Sequence, residues 1–261
     1  MDEGELDFLW GHILDLAHRC ESRDFLTSTA FLGFSERSAI SSFLSSEGKD
    51  LPPHLFYGGY AEAERSCLVF LPSYLDEETF RLTEENCPSF ISCLHIYPKS
   101  EKFALKVGHR DYLGSLLGLG LERERIGDIL LGENDAYGYV LSENLAFIRE
   151  NLVSVGRNPV RVEEAPPSSC PYRPKFLEKR IPVASIRLDS LLSGAFLISR
   201  EEAKRQIEAG NVFLTESKPK PESCPKQGEH ISLKGKGKFV YLGEVGTSRK
   251  GKTVVLIKLA S

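Results

Sequence analysis

The chain has 261 residues, 41% of them hydrophobic, which is room for two or three small domains and too apolar for a disordered protein. No run of about 18 apolar residues stands ready to cross a membrane, and the first residues are acidic where a secretory signal is basic, so a cytoplasmic protein is expected. The net charge of −4 is unevenly placed: residues 181–261 carry 14 Lys and Arg against 8 Asp and Glu, whereas residues 1–180 carry 19 against 29. A basic last third on an acidic body points to a polyanion, most often nucleic acid.

In chain order, residues 1–85 read as an N-terminal α+β domain. Leu6, Leu9, Ile13, Leu16 and Ala17 recur at helical spacing. Ser35-Glu36-Arg37 starts a second helix through Ile40, Phe43 and Leu44. HLFYGGY (54–60) and RSCLVFLPSY (65–74) read as strands. Gly58-Gly59 marks a turn or a close backbone approach, and Glu64 and Arg65 fit a solvated turn.

Residues 86–165 follow the order β-α-β-β-α-β of a ferredoxin-like (RRM-like) domain. A helix is expected over 110–117, with Asp111 as its cap before Tyr112. The tripeptide His109-Arg110-Asp111 also opens the catalytic loop of protein kinases. That loop needs an Asn five residues after the Asp, where Leu116 stands, and a glycine-rich loop and Asp-Phe-Gly elsewhere, which are missing. Either the tripeptide only starts a helix, or His109 and Arg110 touch RNA backbone, extended by Arg123 and Arg125. The aromatic consensus with which RNA-recognition domains stack bases is absent.

Residues 166–183 carry several prolines and read as a linker or extended arm. The six cysteines form no C-x-x-C pair and fit buried thiols in a reducing compartment, so no metal site and no cofactor is expected.

Residues 184–261 hold two short helices. The first runs from about Arg187 to Gly194. The second is capped by Ser199, with Glu202 three residues on, and is closed by Gly210 in a left-handed conformation. Ala203 and Ile207 face inward; Arg200, Lys204 and Arg205 face out. Lys234, Lys236 and Lys238 alternate along one presumed strand face.

IRLDSLL (186–192) and ISREEAKRQIEAGNV (198–212) resemble the S-four RNA-binding domain, also called the αL motif. Arg187, Leu188, Asp189, Ser199, Arg200, Ala203, Ile207, Gly210 and Val212 carry the pattern. The usual Val-Asn-Gly-Lys turn is replaced by Leu214-Thr215-Glu216-Ser217-Lys218, in which Lys218 takes the basic position without a glycine before it. Together with GGYAEAER (58–65), KFALKVGHRDYLGSLLGLGLERERIGDIL (102–130) and LKGKGKF (233–239), this makes almost the whole chain similar to the YlmH family. The resemblance implies three domains, the last an S-four domain at 184–261. It implies a monomeric, non-catalytic factor that binds the large ribosomal subunit carrying stalled peptidyl-tRNA, in ribosome-associated quality control, and supports tail addition. Its partners would be large-subunit rRNA and peptidyl-tRNA, held by Arg187, Ser199, Arg200, Lys204, Arg205, Lys218 and the hairpin lysines. S-four domains also accompany pseudouridine synthases and rRNA methyltransferases, so an RNA-modifying enzyme is the alternative, with a cell-division-linked interaction protein as a third reading. No catalytic residue can be placed from the sequence: no glycine-rich cofactor loop follows a strand, and no Ser-His-Asp or Cys-His logic emerges.

Overall fold

A computed structural model of the chain describes residues 3–47, 51–172, 176–214, 219–248 and 251–260. Helices and antiparallel sheets mix, an α+β fold, and the chain forms two compact units.

The first unit opens with α1 (Glu3–Arg23), which buries Ile13, Leu16 and Ala17 at i, i+3, i+4 spacing. The Thr27 hydroxyl donates to the Leu16 carbonyl at 2.8 Å and ties β1 (Thr27–Ser28) to that helix. The next helix, α2 (Phe34–Glu47), belongs to the second unit. β2 (His54–Tyr57) and β3 (Cys67–Phe70) complete a three-stranded sheet in the order β1-β3-β2. Asp76 then caps α3 (Glu77–Asn86) by accepting from the Thr79 N–H at 2.8 Å. Glu84, buried on the same helix, accepts from the N–H groups of Ser89, Phe90 and Ile91 and so seats the start of the next strand.

That strand is β4 (Ile91–Pro98), followed by α4 (His109–Leu117), β5 (Ile126–Leu131), β6 (Ala136–Leu141), α5 (Leu145–Asn151), β7 (Ser154–Val155) and β8 (Asn158–Ala165). The antiparallel sheet has the order β5-β6-β4-β8-β7, which is the split βαβ arrangement with a short β7 added at one edge. Leu94 and Ile96 point to the helices and join Tyr112, Leu116 and Ile148 in one buried cluster. On the opposite face Ile91, Cys93, Tyr139 and Leu141 share a second cluster with Phe31, Tyr57, Val69 and Phe80. The three-stranded sheet thus covers part of the five-stranded one.

Asp128, 8% exposed, staples that covering. It accepts from the Tyr60 hydroxyl at 2.7 Å and from the N–H groups of Glu64 at 2.6 Å and Arg65 at 3.0 Å. The Arg65 guanidinium reaches the carbonyls of Ile126 at 3.1 Å and Phe31 at 2.7 Å, so Arg65 is a structural tie and not part of a solvated turn. Gly59 has φ +92°, and a Cβ there would stand 2.5 Å from the Tyr139 ring, a close approach as well as a turn. The structure also moves the start of α4. The cap is Gly108 in extended conformation, and Asp111, three residues in, accepts from the Gly108 N–H at 2.7 Å.

The second unit is a sheet of β9 (Phe176–Val183), β10 (Val212–Leu214), β11 (His230–Leu233), β12 (Gly237–Thr247) and β13 (Thr253–Ala260), with α6 (Leu188–Phe196) and α7 (Arg200–Glu208) before β10. Its order is β10-β11-β12-β13-β9. Leu188, Leu191, Leu192, Ala203 and Ile207 pack on Ile231, Phe239, Tyr241, Val255 and Ile257. From α2, the Ser38 hydroxyl donates to the Leu214 carbonyl.

Three expectations change here. Residues 176–183, expected in the linker, form an edge strand paired along β13, with Ile181 and Val183 buried; at an edge Pro182 needs no ladder donor. Gly194 lies inside α6, which ends at Leu197 in the left-handed conformation (φ +55°). Lys234 and Lys236 are not on a strand but in the turn from β11 to β12, with Gly235 at φ +76° and Gly237 at φ +119°. Among the described residues no helix is long and apolar enough to cross a membrane, and no group of His, Cys, Asp or Glu could hold a metal ion.

Candidate nucleic-acid interface

α6 and α7 carry the densest set of expected contacts. Asp189, in the first turn of α6, is fully buried (0% exposed) and lies between two arginines. Arg200 donates from Nη2 to Asp189 Oδ2 at 2.9 Å, and Arg187 Nε lies 3.4 Å from Oδ1. The two guanidinium side chains stay 46% and 39% exposed. A guanidinium has five N–H donors, so a carboxylate that occupies one edge leaves the others for a ligand. The Arg-Leu-Asp and Ser-Arg elements therefore have a shared physical reason: one buried carboxylate aims two cations outward.

The helix N-termini themselves are not the anion site. The N–H groups of Leu188 and Asp189 are taken by the carbonyls of Ser223 (2.8 Å) and Pro221 (3.2 Å). In α7 the Ser199 hydroxyl accepts from the Glu202 N–H at 3.0 Å, half of the expected capping box, and Glu201 and Glu202 place negative charge beside the positive end of the helix. Phosphate recognition would fall to side chains.

On the outer face of α7, Lys204 is exposed, and Arg205, 73% exposed, pairs with Glu202 at 2.6 Å. An exposed pair of this kind contributes little and can be exchanged for a phosphate. Gln206 donates to Glu202 at 2.6 Å and accepts from Asn211 at 2.8 Å, while the Asn211 carbonyl accepts from the Lys234 N–H at 2.9 Å. This chain of bonds fastens the β11–β12 turn to the end of α7. Glu202 is held below the usual carboxylate range by the Gln206 hydrogen bond first, then by the charges of Arg205 and Lys236. Lys236 thus stands in the field of the α7 carboxylate. The structure brings Arg187, Arg200, Lys204, Arg205 and Lys236 onto the helix side of this unit, with Lys234 exposed in the adjoining turn.

Lys238 does not join them: it is half-buried on β12, one residue before Phe239, which faces the core under the helices, so it lies on the other side of the sheet. Lys218 lies outside the described residues. His109 and Arg110 are exposed on the first turn of α4, in the first unit. Arg123 and Arg125 do not extend them. Arg123 donates to the Ile126 carbonyl, and Arg125 pairs with Glu143 and Glu122. Near them is an open groove of about 700 Å³ lined by Glu122, Glu124 and Glu143 with Arg125, the wrong sign for a polyanion.

A second patch was not foreseen. On the face of the five-stranded sheet away from its helices, His95 stacks on Tyr137 (ring centroids 4.4 Å apart, 16° between planes) and lies 4.9 Å from Tyr97. The signal was present: His95 and Tyr97 sit two apart in ISCLHIYP and so share a face, but their partner Tyr137 is distant in sequence.

Three comparisons bear on this. Residues 90–169 match a family model described as "Putative RNA-binding domain in YlmH". The ribosome-associated protein quality control protein P2 of Bacillus subtilis (strain 168) is 26% identical over 247 residues, which cover 93% of this chain and 88% of that protein. The solved structure of the cell division protein ylmH from Streptococcus pneumoniae is 21% identical, with a TM-score of 0.48 over 65% of this chain and 96% of that one.

Proposed function

We propose that this chain is a member of the YlmH family and a non-catalytic RNA-binding factor of the large ribosomal subunit. Its C-terminal unit acts as an S-four domain that holds rRNA and peptidyl-tRNA through phosphates, in ribosome-associated quality control, where it supports tailing of stalled chains. The observation that carries the reading is the cation layer on α6, α7 and the β11–β12 turn, with two of its arginines oriented by buried Asp189. The relative from Bacillus subtilis, named for ribosome-associated quality control, supports the same assignment.

The layer suits backbone and not base recognition. Its donors are guanidinium and ammonium groups on a convex helix face, and such contacts position a nucleic acid without reading its sequence. Specificity would then come from the shape of folded RNA. The test is a native pull-down of the tagged full chain followed by sequencing of the bound RNA. Large-subunit rRNA with tRNA enriched over bulk ribosomes is the expected result. Small-subunit rRNA, or no RNA, would overturn the assignment.

A further inference from the structure

We infer that the uncovered part of the five-stranded sheet is a base-stacking platform for single-stranded RNA, formed by His95, Tyr97 and Tyr137. This rests on the RNA-binding reading above and adds a second contact surface, of different chemistry, in the first unit.

The argument starts from the two faces of the sheet. One is filled by α4 and α5. The other is divided. Toward the start of β4, Ile91 and Cys93, with Tyr139 and Leu141 on β6, are buried under the three-stranded sheet. Toward the end of β4, the same alternation brings up His95 and Tyr97, and β6 brings up Tyr137 directly opposite His95. These rings remain part-exposed, the His95 side chain at 27%. β4 and β6 are the two middle strands of the split βαβ order, the strands from which RNA-recognition domains present their stacking rings.

The rings are held in place before any ligand arrives. Asp135, in the β5–β6 turn, bonds His95 Nε2 at 2.7 Å through Oδ2 and accepts from the Tyr172 hydroxyl at 2.7 Å through Oδ1. The Tyr172 ring meets Tyr137 edge-on with centroids 5.7 Å apart and borders the patch. Tyr97 donates to Glu163 on β8. His95 is sandwiched between Tyr137 and Tyr97, so the stack is already assembled, and its two outer rings, both part-exposed, are the ones left to take a base.

Charge chooses the way a nucleic acid would lie. Asp135 and Glu163 border the rings, with Arg161 opposite Tyr97 in register as the exposed cation on β8. Carboxylates repel phosphates, so a strand laid here turns its backbone outward and its bases inward. The same carboxylates accept from the exocyclic amino groups of adenine and cytosine, which uracil lacks. The platform therefore takes unpaired bases, adenine before uracil, and not a duplex, whose bases are already stacked.

The experiment titrates the full chain with fluorescein-labelled rA12, rU12 and a 12-base-pair RNA duplex. Each base–aromatic stack removed by substitution weakens binding roughly tenfold. Tyr97→Leu, which keeps apolar bulk at a part-exposed position, is expected to lose about that factor for rA12 with the slope of log affinity against log salt unchanged. Tyr97→Phe, which keeps the ring, is expected to bind as wild type. A 2-aminopurine placed within the oligomer is expected to lose fluorescence on binding wild type and the Phe variant and to keep it with the Leu variant. Equal affinity of wild type and Tyr97→Leu for rA12, with no quenching in either, overturns the platform. So does binding of duplex with no binding of rA12, and that result leaves the phosphate-binding function standing. No binding of any of the three RNAs overturns the platform as well, while the phosphate-binding function is decided separately by the pull-down of large-subunit rRNA.

Discussion

Two buried carboxylates, one in each unit, do opposite work. Asp128 faces neutral donors, the Tyr60 hydroxyl and two backbone N–H groups. Asp189 faces two guanidiniums that remain half in water. Burial pushes the Asp128 carboxyl above its ordinary value, while the hydrogen bonds from Tyr60, Glu64 and Arg65 pull against that rise. The first is a staple that closes a loop over a core. The second is an aiming device, because its partners have donors left over. Burial of an acid alone therefore says little about function; the exposure of the partner's far side decides.

The comparison can be broken by substitution, beginning with the staple. Asp128→Ala strands two backbone N–H groups and a phenol, and is expected to cost the first unit about 3 kcal/mol, read from denaturant unfolding, with RNA affinity under native conditions unchanged. Asp189→Ala is expected to cost the second unit about 2 kcal/mol, less than a fully buried pair because both arginines are half-exposed. Its sharper readout is RNA affinity. The substitution makes the surface more positive, so a charge-only account requires tighter binding, whereas loss of aim requires weaker binding, which is the expected result.

Ser199→Ala removes the cap of α7 and should destabilise the second unit by about 1 kcal/mol, with a parallel loss of helicity. The smallest effects are pH slopes of opposite sign. Asp128, raised, contributes its stability below its ordinary value of 3.8 and loses it as pH rises through the raised value. The stability difference between wild type and Asp128→Asn should therefore shrink on going up in pH. Glu202, lowered, contributes above its ordinary 4.5 and loses that contribution in acid, so the difference between wild type and Glu202→Gln should shrink on going down. Unfolding curves across that range check both signs.

What could be read from sequence was what is local. The Ser199 cap and the left-handed Gly210 (φ +71°) depend on residues three or four apart, and the α7 inner face follows from its period. The β-α-β-β-α-β order was visible because each element is short and bounded by turn residues. The lysine alternation at 234–238 misled because period 2 also runs through a turn when every second residue is glycine. Asp111 was taken for a cap because an extended Gly108 offers no side chain to signal one. The roles of Asp128, Asp135 and Asp189 were hidden for one reason: the partners of Asp128 and Asp135 are brought in by the sheets from far along the chain, and Arg200 meets Asp189 only once α7 folds back on α6.

The most direct test of the phosphate-binding layer is the salt dependence of binding to purified large-subunit rRNA. It compares wild type with the Lys204→Ala, Lys234→Ala, Lys236→Ala triple variant, which spares the structural arginines. Neutralisation of four to six phosphates gives wild type a slope of log affinity against log salt of roughly −3 to −5, and each lysine lost flattens it by roughly 1. A variant that folds as wild type and binds with a slope flatter by about 2 to 3 is the expected result. A folded variant with the wild-type slope would place the phosphates elsewhere and contradict the account.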